Sequence, residues 1–247
     1  MIRPGDKILV HISDGKSSMA LLHCLHAYQE LLQQESTDQT NSNVFEIGTV
    51  VVALAFENYE LMPLVNYLKA LGVTNYYEKQ HMNNYCSHSL DLCSSLKQKV
   101  IYNVARKHGY NVLALAQNLD DMAISFLSSV FNNGSIQTME ANVELKGLHL
   151  RLIRPLVFCR EATIEDFVSA AKLPVIKIAC SICEQSRMEQ TRLKDILAAE
   201  ESNNPHLFNS IISAISPLLH LSSQSDVILD SANAGQCRQP IWKKAEN

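Results

Sequence analysis

Lys7-Ile8-Leu9-Val10-His11-Ile12-Ser13-Asp14-Gly15-Lys16-Ser17-Ser18-Met19-Ala20-Leu21-Leu22 joins two patterns across one short loop. The opening run is short, apolar and β-branched, and stops at small residues. Beyond the loop, apolar residues recur at helical spacing as far as Leu31 and Leu32, so the stretch predicts strand, turn, helix. A loop of small residues at that junction aims backbone N–H groups at an anion, and the helix N-terminus adds a favourable dipole. The hydroxyls of Ser13, Ser17 and Ser18 add donors. An ordinary strand-to-helix turn with Ser/Asp capping accounts for the same residues equally well. The Walker spacing of glycines, lysine and hydroxyl is absent.

The same alternation continues on the C-terminal side. Residues 47–56 form a nearly continuous apolar run, the mark of a strand covered on both faces. Helical patterns at 60–71, 97–108 and 122–131 alternate with strand candidates at 74–78 and 111–116. Strands separated by helices of this length imply parallel β-α-β units, hence a doubly wound parallel α/β sheet that binds its ligand beyond the carboxyl ends of its strands. Residues 33–43 are polar and read as an exposed loop. After Arg154-Pro155-Leu156 strand signals fade, and helices at 163–171, 188–200 and 207–215 predict a C-terminal helical extension. Residues 221–247 read as a polar tail.

Composition narrows the function classes. The chain has 247 residues, 47% hydrophobic and 19% charged, enough for one large domain with its own core. No apolar run reaches membrane-spanning length and the N-terminus lacks a secretory stretch, so a cytoplasmic protein with no membrane partner is expected. A net charge of −4 argues against a general nucleic-acid coat and leaves a local basic groove open. Seven cysteines without a signal peptide predict reduced thiols, some of them metal ligands.

Cys180-Ser181-Ile182-Cys183 brings two thiolates within reach of one soft metal ion, and Cys93 opens another predicted helix. Three thiolates leave one iron of a cubane cluster open, or a zinc with an exchangeable position; unliganded thiols are the plain alternative. Asn118-Leu119-Asp120-Asp121 follows the fourth strand, on the edge that carries the phosphate loop. A carboxylate there suits Mg²⁺ bridging phosphates, or helix capping, or both. Lys97, one turn beyond Cys93, is placed to neutralise a developing phosphate charge, or is a solvated helix residue.

These segments occur in a familiar order. Ser13 to Ser18 resembles the S-G-G-K-D-S loop of the N-type ATP pyrophosphatases, or PP-loop proteins. Cys93-Ser94-Ser95-Leu96-Lys97 resembles the C-S-x-L-R segment of the TtcA-like tRNA 2-thiolation enzymes. Ala116-Gln117-Asn118-Leu119-Asp120-Asp121 is similar to their G-H-H-R-D-D, Arg154 to Glu161 matches R-P-L-x-x-C-R-E, and Cys180/Cys183 matches a late C-x-x-C. The resemblance implies a Rossmann-like, adenine nucleotide alpha hydrolase-like fold. It divides the chain into a PP-loop domain at 1–160, a helical extension at 161–220 carrying the C-x-x-C, and the tail.

It also implies chemistry. ATP and Mg²⁺ adenylate the C2 oxygen of a tRNA pyrimidine, and sulfur carried by a 4Fe–4S cluster displaces AMP. On this reading Ser13, Asp14, Gly15, Lys16, Ser17 and Ser18 hold phosphate, while Ala53, Ala55 and Gln117 border the nucleotide. Asp120 serves Mg²⁺ or activation, Lys97 the charge, and Cys93, Cys180 and Cys183 the cluster, with Cys93 and Cys183 in the catalytic set. The partners implied are tRNA and a sulfur donor such as a cysteine desulfurase, with a homodimer as the assembly. The sequence departs from the pattern at Asp14 (for Gly), Ser17 (for Asp), Leu90 (for Cys) and Ala116-Gln117-Asn118 (for Gly-His-His). A second expectation is therefore a catalytically impaired paralogue that binds tRNA or a partner within a thiolation complex.

Overall fold

A computed structural model of the chain describes residues 1–13, 15–35, 44–54, 62–80, 90–175 and 184–219. β1 (Lys7–Ile12) leads into α1 (Lys16–Glu35), followed by β2 (Glu46–Leu54), α2 (Met62–Ala70), β3 (Thr74–Gln80), α3 (Leu90–Lys107), β4 (Val112–Ala114) and α4 (Leu119–Asn133). Then come β5 (Asn142–Leu145), β6 (Leu150–Ile153), α5 (Glu161–Ala170), α6 (Glu184–Asn203), α7 (Leu207–Ile215) and a 3-10 turn, Ser216–Leu218. The strands form one sheet in the order β3-β2-β1-β4-β6-β5. All neighbours are parallel except β5 and β6. The expected α/β class holds, with one difference: the edge is closed by an antiparallel hairpin, Asn142 pairing with Ile153 and Leu145 with Leu150.

Why these strands sit centrally is plain from their side chains. Ile8, Val10 and Ile12 bury one face of β1 with Met19, Leu22 and Leu25 of α1, Leu64 and Leu68 of α2, and Ile164 and Val168 of α5. Leu9, Val50, Val52 and Leu113 face the other way, onto Val100, Ile101 and Val104 of α3. With both faces covered, apolar residues run on without alternation. α5, expected in the helical extension, packs on α1 because its apolar stripe meets this first core. A separate core joins Leu119, Met122 and Ala123 of α4 to Leu193 and Leu197 of α6 and Phe208 and Ile215 of α7. Gly48 in β2 is dictated by packing: the end of the Tyr110 ring lies where a Cβ would project.

At the amino edge of the sheet a buried ion pair fastens three distant segments. Arg151 Nη2 donates to Asp6 Oδ2 at 2.5 Å, and both residues are buried. The same carboxylate accepts from the Arg3 amide at 2.7 Å and from Asn111 Nδ2 at 3.2 Å, while Arg151 also reaches the Met1 carbonyl. Both carboxylate oxygens and both terminal guanidinium nitrogens are thus answered, as burial demands.

Candidate nucleotide site at the switch point

The chain leaves β1 for β2 on one side and returns to β4 on the other, so the strand order reverses between β1 and β4. In an open α/β sheet the crevice beyond those two carboxyl ends is where a ligand fits. The loop from Ser13 into α1 and the turn from β4 into α4 border that crevice. Asn118 Nδ2 reaches Ser17 Oγ across it at 3.4 Å.

The loop braces itself from within. Ser18 is fully buried, and its Oγ lies 3.2 Å from the Ser13 carbonyl and 3.0 Å from that of Gly15. The Ser18 hydroxyl therefore bonds within the loop, and its backbone amide is the group left to face an anion. Lys16 Nζ pairs with Glu165 Oε1 of α5 at 2.9 Å in a half-exposed contact that a more highly charged anion would outcompete. Ser13 and Gly15 lie on the described part of the loop; Asp14 lies outside the described residues. Ala53 is fully buried near the end of β2, and Ala55 lies outside the described residues. Gln117 Oε1 accepts from Arg154 Nε at 3.1 Å, which fixes the β4–α4 turn.

The start of α4 is a reciprocal cap. The Asp121 amide donates to Asn118 Oδ1 at 3.0 Å, and the Asn118 amide donates to Asp121 Oδ2 at 3.0 Å. Asn118→Ala removes the cap and the link to Ser17 together. It is expected to lower stability by about 1 kcal/mol, read as a lower urea midpoint; an unchanged midpoint would show the cap to be idle. Burial pushes the Asp121 carboxyl above its usual range, outweighing the Asn118 amide that favours its charge. A raised folded pKa contributes stability that is present in acid and lost as pH rises through it. Asp121→Asn is accordingly expected to melt above wild type at neutral pH and to converge with it below the ordinary carboxylate range, as thermal scans against pH will check.

Asp120 sits in the first turn of α4, where chain order puts it, and its carboxylate is already engaged. Its Oδ2 accepts the Glu161 amide at 2.6 Å, and Arg160 Nε sits 3.3 Å from both oxygens. The same guanidinium grips Glu201 of α6 through two bonds, at 2.6 and 3.0 Å, and lies 3.3 Å from the centroid of the Phe208 ring. Arg160 thus holds the Asp120 carboxylate, and a metal taking it would have to displace the guanidinium. Lys194 of α6 pairs with Glu161 at 2.7 and 2.9 Å. Sequence alone places Arg160 and Glu161 within a motif and gives them no role, because their partners lie 33 to 41 residues away.

Cys93 falls on the first turn of α3. Since α3 follows β3 and ends where the Asn111 amide meets the Lys7 carbonyl, its N-terminal turn is at the carboxyl edge. Lys97 is one turn further along and half-buried. Cys180 and Cys183 lie outside the described residues, with α6 beginning directly after Cys183. Among the described residues no His, Cys, Asp and Glu group of metal-binding size occurs, and no helix is long and apolar enough to cross a membrane.

A doubly wound sheet with a small-residue loop at its switch point defines an α/β nucleotide-binding fold. Residues 3–177 match the PP-loop domain, and the chain belongs to that family. It is 31% identical over 227 residues to the tRNA-cytidine(32) 2-sulfurtransferase of Pelobacter propionicus, covering 87% of this chain and 80% of that protein. It is 30% identical over 224 residues to tRNA-cytidine(32) 2-sulfurtransferase 1 of Francisella tularensis subsp. novicida, with the same coverage. Among solved structures, the U34-tRNA thiolase NcsA from Methanococcus maripaludis with its 4Fe–4S cluster superposes with a TM-score of 0.63. That match covers 91% of this chain and 76% of NcsA at 17% identity, a likeness of fold.

Proposed function

We propose that this chain catalyses ATP-dependent 2-thiolation of a tRNA cytidine. The observation that carries the reading is that two segments share one sheet edge: the Ser13–Ser18 loop and the turn of α3 that bears Cys93. It is supported by relatives named for this reaction that align over most of the chain.

The loop amides and Ser13 and Ser17 hold the ATP phosphates, aided by the α1 dipole and by Lys16 once it leaves Glu165. Ala53 and Ala55 border the adenine, and Gln117, held by Arg154, closes the side of the crevice. Adenylation of the cytidine C2 oxygen turns it into a leaving group, and Lys97 balances the charge that builds on AMP. Asp120 would serve Mg²⁺ brought with ATP, or activation, once Arg160 releases its carboxylate. Cys93, Cys180 and Cys183, three soft thiolate donors, would hold a 4Fe–4S cluster, which would supply sulfur-transfer chemistry at the site. The chemistry thus divides between two sets of groups, with the loop and Lys97 activating the base and the thiols handling sulfur. A cysteine desulfurase type of donor supplies the sulfur to a homodimer in the cytoplasm.

The test is an anaerobic reaction of purified protein with unmodified tRNA, ATP, Mg²⁺ and a sulfide source, followed by mass spectrometry of the nucleosides. ATP-dependent 2-thiocytidine supports the reading. Reconstituted protein that binds tRNA but makes no thionucleoside favours the impaired paralogue suggested by Asp14 and Ser17.

A further inference from the structure

We propose that Arg160 and Glu161 form a register lock for α6, in which adjacent residues of opposite charge grip α6 at Glu201 and Lys194, about two helical turns apart. The lock rests on the functional reading for its consequence, because α6 begins directly after Cys183. It is a positioning device, and Arg160 is its central residue.

Three observations carry it. First, the signs are crossed: Arg160 meets Glu201, and Glu161 meets Lys194. Sliding α6 by two turns brings like charges together, so the pairs specify one alignment even though half-exposed ion pairs add little to stability. Second, the grip reaches the nucleotide edge. Asp120, in the first turn of α4, takes the Glu161 amide and the Arg160 guanidinium on its own carboxylate. Third, Arg160 stacks on Phe208, a buried residue of α7, so the guanidinium has a planar seat as well as two carboxylates. The apolar contacts of Leu193 and Leu197 against α4 are non-directional and leave the finer axial and rotational setting of α6 to the crossed pairs.

The experiment is a charge-swap cycle on the whole protein: Glu161→Lys, Lys194→Glu and the double variant, with Glu201→Gln as the milder change. Hydrogen exchange of the α6 amides is read alongside steady-state thiolation. Each single change is expected to speed exchange in α6 and to lower the turnover number between about ten- and a hundredfold, the cost of an ångström-scale misplacement. The KM for ATP should stay within about twofold of wild type, since the loop itself is untouched. The double swap should restore both protection and turnover. Single variants with wild-type exchange and turnover, or a double swap that restores neither, would overturn the lock. Glu201→Gln decides the matter if a charge reversal prevents folding. Exchange is read without activity, so wild-type protein that thiolates nothing defeats the functional reading alone, while the exchange cycle still decides the lock.

Discussion

Protein carrying Cys183→Ser and prepared without oxygen is expected to hold less iron than wild type and to lose tRNA thiolation by at least about a hundredfold, with ATP binding unchanged. A serine hydroxyl is a poor ligand for iron at neutral pH, so three-thiolate attachment drops to two. Activation is assigned to a separate set of groups, the loop and Lys97, which the substitution does not approach in sequence. Iron content, 2-thiocytidine yield and calorimetry with an ATP analogue measure the three quantities independently. Undiminished iron together with full thiolation would remove Cys183 from the mechanism.

Asp6→Ala is expected to have the largest effect on stability, about 3–5 kcal/mol, because it strands the buried Arg151 guanidinium without a counter-charge. For a chain of this size that lowers the melting temperature by roughly 10 °C. Replacing both partners, Asp6→Ala with Arg151→Met, should recover most of the loss, since no buried charge then lacks a partner. Urea unfolding of the two variants separates the cases. Equal instability in single and double variants would mean that the ion pair stabilises by itself rather than by satisfying Arg151.

The parts of the molecule visible in the sequence are those encoded locally. The apolar run 47–56 and the strand–loop–helix of residues 7–22 carry their periodicity within a few residues, and β2, β1 and α1 lie where that periodicity puts them. The β5–β6 hairpin is not legible in this way. Each strand has four residues, and Arg151 interrupts an otherwise apolar Leu150-Arg151-Leu152-Ile153. Only Asp6, 145 residues away, explains how a charge is buried there. Asp120 shows the same limit at the site. Its position at the start of α4 follows from chain order, but its engagement by Arg160 depends on a contact 40 residues distant. Ser18 is a case that local chemistry does anticipate, because a hydroxyl bond to a carbonyl three residues back is a common habit of serine in a first helical turn.

The Asp6–Arg151 fastening lies at the opposite rim from the turn that faces nucleotide. The strongest buried tie and the chemistry therefore draw on different residues, and parts of the phosphate turn can drift in composition without loosening that tie. Asp14 and Ser17 are changes of that kind. Substitutions at Asp14 and Ser17, unlike those at the buried Ser18, should yield well-folded proteins whose altered turnover reports on catalysis.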